Sequence, residues 1–108
     1  MPYYKLIVLS DPLDNRDSEF NDWYDNIHLS DVLKVDGIVA AQRFRLKSGD
    51  RWRYCALYEI ESDDPEKVVA ELESRAGTEV MPLSDAFDME NYYMALAEPH
   101  APRQTADR

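Results

Sequence analysis

His28 is the residue of this sequence best suited to acid–base chemistry. Imidazole is the side chain whose unperturbed pKa lies nearest to neutral pH, so it can accept and release a proton there. Tyr24 precedes it by one helical turn, and Asp31 follows it by three residues. The predicted catalytic set is therefore His28 as general acid or base, Tyr24 as a hydrogen-bond or oxyanion partner, and Asp31 as an orienting carboxylate. The alternative is a histidine that caps the carbonyl groups at its own helix end.

A group of aromatic residues and one arginine lies near this set in the sequence. Aromatic side chains could line a pocket for a hydrophobic molecule, although they more often belong to a core. An arginine could hold an anionic group of a substrate, although on a strand it more often forms a surface or interface ion pair. The predicted substrate-binding residues are Phe20, Trp23, Arg43, Phe44 and Tyr54.

Other chemistries lack their usual sequence signals. The chain has no H-E-x-x-H motif, no closely spaced pair of histidines or cysteines, and only 3 glycines, so metal, nucleotide and flavin sites are not predicted. Cys55 is the only cysteine and lies within a predicted strand, with no sign of activation. We therefore expect no metal and no cofactor.

The composition narrows the choice of partners and location. A length of 108 residues suits one domain, and a formal net charge of −10 opposes binding to nucleic acid or to an anionic membrane surface. No segment approaches the roughly 20 apolar residues of a membrane span, and no secretory leader pattern opens the chain. We expect no nucleic-acid partner, no membrane partner and a cytoplasmic location.

The helix that must position His28 carries two conflicting apolar stripes. One stripe, with the spacing of a core-facing helix, consists of Phe20, Trp23, Tyr24 and Ile27. The other, on the opposite side, consists of Leu29, Val32 and Leu33. The conflict predicts that a helix over residues 18–28 ends near His28 and that a new turn begins with Ser30 or Asp31 as its N-cap. His28 would then lie at a helix C-terminus, where the helix dipole favours its protonated form and burial opposes it.

The remaining periodicities predict four strands and a second helix. Residues 3–10 suit a strand buried on both faces, and residues 38–47 and 51–61 flank a short glycine-containing loop, as in an antiparallel hairpin. In the first hairpin strand, the alternation predicted to pack inward is Ile38, Ala40, Gln42, Phe44 and Leu46. A cap followed by Pro65 starts the second helix, and residues 87–97 form the last strand.

The element order is strand, helix, strand, strand, helix, strand. This order predicts an α+β, ferredoxin-like βαββαβ fold in which both helices cover one face of an antiparallel sheet. The strands nevertheless carry apolar residues on both alternations, and a second subunit is the natural cover for the other face. We expect residues 1–97 to form a single domain and residues 98–108 to form a flexible tail.

One segment of the chain resembles a known family. The run WYDNIHLSDVL, followed by VDGI and AQRF, resembles the WYxxxHxPDVLxVPGF…RF pattern of EthD-like proteins in the dimeric α/β-barrel superfamily. Ser30 and Asp36 stand where that pattern has proline, which affects the shape of the turn but leaves His28 in place. The resemblance covers residues 20–45 and implies a homodimer whose two sheets close into a barrel, with a pocket between helices and sheet.

Two functions remain open from the sequence. The first is a small cofactor-independent enzyme that uses acid–base chemistry on a hydrophobic or aromatic carbonyl compound, as a lyase, cyclase, isomerase or dehydratase. The second is a non-catalytic accessory protein that binds a small molecule in the same pocket. The resemblance also implies weaker alternatives, namely a cofactor-independent monooxygenase or a haem-handling protein with His28 as an iron ligand.

Overall fold

Four antiparallel strands form one sheet in the order β2-β3-β1-β4, and the helical segments cover one of its faces. The computed structural model describes residues 2–108. The elements are β1 (Tyr3–Pro12), α1 (Asp17–Trp23), a π-helical turn (Tyr24–His28), α2 (Leu29–Val32), β2 (Ile38–Arg45), β3 (Tyr54–Glu61), α3 (Pro65–Arg75) and β4 (Phe87–Ala97). This arrangement confirms the predicted ferredoxin-like fold. Within residues 2–108, no helix has the length and apolar character needed to cross a bilayer.

The core lies between the helices and one face of the sheet. Side chains alternate across a strand, so one alternation of β1 and β3 meets the helices. Phe20 and Ile60 have no exposed surface, and Leu6 and Tyr58 are 1% exposed. The predicted β2–β3 hairpin and the last strand are confirmed, since β2 pairs antiparallel with β3 and β4 spans the expected residues.

The helix beginning at Asp17 does not break at His28. His28 has φ −65° and ψ −46°, and Leu29 has φ −58° and ψ −41°, so both are helical. The N–H of Leu29 donates to the carbonyl of Tyr24, five residues back, which is the bond of a π turn. The predicted break and the predicted cap at Ser30 or Asp31 are therefore wrong, and α1, the π turn and α2 form one continuous helix.

The π turn reconciles the two apolar stripes. Each residue of an α-helix advances about 100° around the axis, so one extra residue in a turn rotates everything after it back by about that angle. Ile27, which a regular helix would bury, is 45% exposed, whereas Val32 is 1% exposed. His28 takes the inward position that Ile27 was expected to occupy. The prediction that Ile27 faces the core is wrong for this reason.

A bulge in β2 reverses the expected alternation of that strand. Ile38 pairs with Ile60, but the register shifts before Ala40, and from there Ala41 pairs with Tyr58. One unpaired residue moves every later side chain to the opposite face. Arg43 therefore points toward the helices, and Phe44 points away from them. The prediction that the alternation of Ala40, Gln42 and Phe44 packs inward is wrong beyond Ile38.

The start of α3 is as expected. The Asp64 carboxylate accepts a hydrogen bond from the N–H of Lys67 at 3.2 Å, and Pro65 occupies the first turn. Gly37 precedes β2 with φ 97°, and a Cβ there would lie 2.7 Å from Val68 Cγ2. A side chain at position 37 would therefore clash with α3 as well as strain the backbone.

The sheet face opposite the helices is rich in apolar side chains and lacks a cover within the described residues. Half-buried Ile7, Leu9 and Leu57 occupy its two central strands. Phe44 on β2 is 41% exposed, and Tyr93 on β4 is 51% exposed. We call this surface the open face.

Removal of residues 99–108 is expected to leave the melting temperature unchanged. These residues are exposed and belong to no helix or strand, so their loss removes no core contact. Thermal unfolding of the full chain and of a chain ending at Glu98 would be compared. A decrease of several degrees would show that the tail stabilises the domain.

Candidate active site

A cavity of about 180 Å³ lies between the helical layer and the β1–β4 side of the sheet. Its walls are mainly aliphatic, aromatic and methionine side chains, and His28 and Glu73 are its titratable groups apart from two tyrosines. The lining residues are Val8, Trp23, Tyr24, His28, Leu72, Glu73, Ala76, Met81, Leu83, Phe87, Met89, Tyr92 and Met94. An apolar cavity with few polar groups is the usual form of a small-molecule site.

A larger surface groove of about 640 Å³ lies elsewhere, between the start of β2 and α3. Its lining is mainly charged and includes Asp36, Glu61, Asp63 and Glu71. Charged side chains on an open surface are already solvated, so size alone does not make this groove a ligand site. The smaller and more apolar cavity beside His28 is the candidate site.

His28 is held in place by two aromatic rings. Its imidazole stacks on Trp23 with centroids 4.6 Å apart and an interplanar angle of 26°, and it meets Tyr24 edge-on at 5.0 Å. Its Nδ1 atom is buried and has no hydrogen-bond partner among residues 2–108. The alternative of a capping histidine is therefore wrong, because the ring lies within a continuous helix and makes no cap bond.

Burial lowers the pKa of His28 from 6.5 to about 4, because a charged imidazolium loses its hydration in this environment. The carboxylate of Asp31 opposes the shift, and the charge of Arg43 adds to it. Of the two opposing effects that the sequence left open at His28, burial is therefore the larger. At neutral pH the imidazole is uncharged.

This pKa predicts a specific pH dependence of stability. Between pH 6.5 and about 4 the unfolded chain binds a proton at His28 that the folded chain does not bind, so the free energy of unfolding should fall as the pH falls. The decrease attributable to His28 should reach about 3 kcal/mol at most by pH 4. Urea unfolding of the wild type and of His28→Gln, measured from pH 7 to pH 4, isolates this contribution because glutamine does not titrate. Identical pH profiles would contradict it.

Tyr24 contributes its ring to the cavity, while its hydroxyl lies on the inner side of the helix. The Tyr58 hydroxyl donates to the Tyr24 hydroxyl at 3.5 Å, and both groups are almost fully buried. Burial raises the pKa of Tyr24, and it raises the pKa of Tyr58 well above 10. Both phenols are therefore neutral at physiological pH.

Asp31 lies near His28 without bonding to it. Its carboxylate is 3.7 Å from the ammonium of Lys34, and its effect on His28 is that of a nearby charge. The π turn brings His28 and Val32 inward. Asp31, which lies between them in the sequence, therefore does not face the cavity. The structure thus brings His28 and Tyr24 together and leaves Asp31 at the margin.

Arg43 lies beside the cavity wall, enclosed by aromatic rings. Its guanidinium carbon is 4.3 Å from the Tyr24 ring centroid, 5.1 Å from that of Tyr54 and 5.4 Å from that of Phe20. Nη1 donates to Asp25 at 2.8 Å, and Nη2 donates to Asn21 at 3.0 Å. Asp25 lies within the π turn, so Arg43 ties β2 to the turn that carries His28. The arginine does not line the cavity.

The predicted substrate-binding residues divide into three groups. Trp23 lines the cavity, and its indole N–H donates to the carbonyl of Pro82 at 3.1 Å. Phe20 and Tyr54 belong to the aromatic core around Arg43 and not to the lining. Phe44 lies on the open face, on the far side of the sheet from the cavity. Its assignment to this site fails because the β2 bulge reverses the strand.

The sequence interpretation missed the part of the lining that comes from β4 and the segment before it. Ser10 pairs with Tyr92, and Pro12 pairs with Phe87, so the one residue of β1 between these pairs lies opposite four residues of β4. This irregularity brings both aromatic residues to the cavity, whereas strict alternation would separate them. The cluster of methionines and aromatic residues over positions 81–94 was the available signal, because such side chains suit an adaptable apolar pocket.

No family model and no curated protein matches this chain. Solved structures do match. A protein of Shewanella loihica PV-4, provisionally assigned as a monooxygenase, has 11% identity over 94% of this chain and 97% of its own, with a TM-score of 0.66. A dimeric ferredoxin-like protein from an uncultured marine organism has 16% identity over 95% and 100%, with a TM-score of 0.64.

An EthD family protein of Bacillus halodurans C-125 also matches, with 12% identity over 92% of this chain and 99% of its own and a TM-score of 0.54. These identities are low, so the similarity concerns the fold. The chain has a ferredoxin-like fold that it shares with this EthD family protein, and the predicted resemblance is confirmed at the level of the fold.

Proposed function

We propose that this chain is a subunit of a homodimeric enzyme that binds a small hydrophobic or aromatic carbonyl compound and acts on it by acid–base chemistry at His28. The observation that supports this best is a neutral imidazole that lines a mainly apolar cavity and whose buried Nδ1 has no hydrogen-bond partner within residues 2–108. Buried polar groups without partners are uncommon in structural positions, so one beside a cavity is a candidate functional group.

The π turn adds weight to this assignment. Such turns are rare and often occur at functional sites. In this chain the π turn places His28, and not Ile27, at the inward position. Core packing alone would favour the isoleucine there. The ties from Arg43 to Asp25 and Asn21 hold the turn in place.

A second candidate function is non-catalytic binding of the same class of ligand. Asp31 makes no hydrogen bond to His28, and the Tyr24 hydroxyl is engaged with Tyr58, so neither provides a proton relay in this conformation. A cavity with few polar groups can bind a ligand without transforming it.

Two further alternatives are a cofactor-independent monooxygenase and a haem-handling protein. A cofactor-independent monooxygenase is in keeping with the Shewanella loihica neighbour, and it would use the same cavity for an oxidisable aromatic substrate. A haem-handling role fits less well. About 180 Å³ is below the roughly 300 Å³ at which sites for drug-sized ligands begin, and a porphyrin is larger than such ligands. Addition of the protein should therefore leave the Soret band of free haem unchanged in position and width.

The homodimer is part of the same proposal. The open face presents contiguous apolar side chains on four strands, and patches of that kind usually mark an interface. A matched neighbour is a dimeric ferredoxin-like protein. An interface above about 1,000 Å² is expected if the two sheets meet face to face.

The deciding experiment is a thermal-shift and activity screen of purified protein with uncharged one-ring and two-ring ketones, aldehydes and quinones. Binding together with turnover supports the enzyme, and binding without turnover favours the accessory role. Failure of every aromatic compound to bind would remove the cavity as a ligand site.

A further inference from the structure

The buried Nδ1 atom of His28 restricts which tautomer of the neutral imidazole can exist. One ring nitrogen carries the proton and the other carries a lone pair. Nδ1 has no partner of either kind among the described residues. A buried N–H without an acceptor is among the rarest and most destabilising defects in protein structures, whereas an acceptor with an unused lone pair is tolerated more often. The proton therefore belongs on Nε2.

The geometry of the cavity indicates where the Nε2 proton of His28 points. His28 contributes to the lining, and within residues 2–108 its Nδ1 has neither accessible surface nor a hydrogen-bond partner. Trp23 covers one face of the ring, and Tyr24 meets it edge-on. Nε2 is then the ring nitrogen that a molecule in the cavity can reach.

The charge and size of the site limit the ligand further. Glu73 is the carboxylate at the cavity, and its charge together with the apolar walls disfavours an anionic ligand. A dry cavity of about 150 Å³ is known to accept benzene, and a drug-sized ligand needs roughly 300 Å³ or more. A cavity of about 180 Å³ suits a molecule built on one ring.

Resting on the function proposed above, we propose that the Nε2–H of neutral His28 is a hydrogen-bond donor to the carbonyl oxygen of the ligand, and that the cavity selects uncharged one-ring aromatic ketones and aldehydes. His28 would thus polarise a carbonyl group and would not act as the base in the bound state. Neutral imidazole is known to polarise carbonyl groups in this way in triosephosphate isomerase. The ligand class follows from the donor, because a carbonyl oxygen accepts a hydrogen bond and a hydrocarbon of the same shape does not.

The tautomer is measurable without any ligand. In protein labelled with ¹⁵N at histidine, long-range ¹H–¹⁵N correlation spectra at pH 7 should show His28 with a protonated Nε2 and an unprotonated Nδ1. His100 in the exposed tail provides an internal reference for a solvated imidazole. A protonated Nδ1 in His28 would overturn the proposal whatever the cavity binds.

The ligand class is tested with acetophenone and 2-phenylpropene, a hydrocarbon of nearly the same planar shape in which a CH2 group replaces the carbonyl oxygen. Acetophenone should bind the wild type about tenfold more tightly, the effect of one hydrogen bond in an apolar site. His28→Gln places an amide N–H near the position of Nε2 and should retain most of this preference. His28→Asn places its amide near Nδ1 and should lose it.

The outcomes separate this inference from the proposed function. Equal affinity of the wild type for both compounds would leave the cavity as an aromatic site but would refute the donor role. Binding of neither compound would refute both. Equal loss of preference in the glutamine and asparagine variants, with melting temperatures like that of the wild type, would also refute the assignment to Nε2.

Discussion

Replacement of His28 by alanine is expected to lower turnover of a carbonyl substrate by about 10² to 10⁴ while the protein remains folded. The side chain supplies the imidazole on the wall of a mainly apolar cavity, and the other polar side chains in the lining are a carboxylate, Glu73, and two tyrosines. Its removal breaks no protein hydrogen bond at Nδ1, because that atom has no partner. The activity loss should therefore greatly exceed the stability loss. Steady-state kinetics and urea unfolding of the same preparations measure both.

Tyr24→Phe is the matched control, since it alters a neighbouring lining residue without changing its ring. The Tyr58 hydroxyl would lose its buried partner, so stability should fall by about 1–3 kcal/mol. Turnover should change much less than in His28→Ala. Full activity in His28→Ala would remove His28 from the site, and a greater loss in Tyr24→Phe would make the tyrosine the principal group.

Leu57→Asp is expected to convert the proposed homodimer into monomers. Leu57 lies on the central strand β3, on the open face, between Gln42 of β2 and Ile7 of β1. Each subunit would bring an unpaired carboxylate into the interface, and an uncompensated buried charge costs about 3–5 kcal/mol. The dimer should weaken by at least about 100-fold. Light scattering at micromolar concentration should give the 12.6 kDa chain mass for the variant and twice that mass for the wild type.

Val80→Asp is the control for the added charge. Val80 is apolar and 61% exposed, and it lies outside the sheet, so its replacement should leave the dimer intact. A wild-type chain that is monomeric at micromolar concentration would refute the dimer directly. A Leu57→Asp protein that remains dimeric would place the interface on another surface.

The sequence by itself determined the order and type of the elements. It predicts the last strand at its observed limits, the helix start at Pro65 from its cap, and the hairpin from a glycine loop between two apolar runs. These features depend on the conformational preferences of short segments, which follow directly from the residues in each segment. The apolar residues on both alternations of the strands likewise indicate, from the sequence alone, that both faces of the sheet need a cover.

The candidate site depended on three irregularities that periodicity does not reveal. The π turn brought His28 inward in place of Ile27, the β2 bulge brought Arg43 to the helix side and sent Phe44 away, and the irregular pairing of β4 added Phe87 and Tyr92 to the cavity. Each inserts residues into a regular element and so changes which face every later side chain meets.

The physical reason is that a helix or strand tolerates an insertion when tertiary packing compensates for the lost regularity. In this chain the compensation comes from contacts distant in sequence, such as Val32 in the core and Arg43 between Asp25 and the Tyr24 ring. The sequence indicated His28 and Tyr24 as partners because they share one helix. Only the tertiary structure decided that His28 faces a cavity, that burial keeps its imidazole neutral, and that Asp31 makes no hydrogen bond to it.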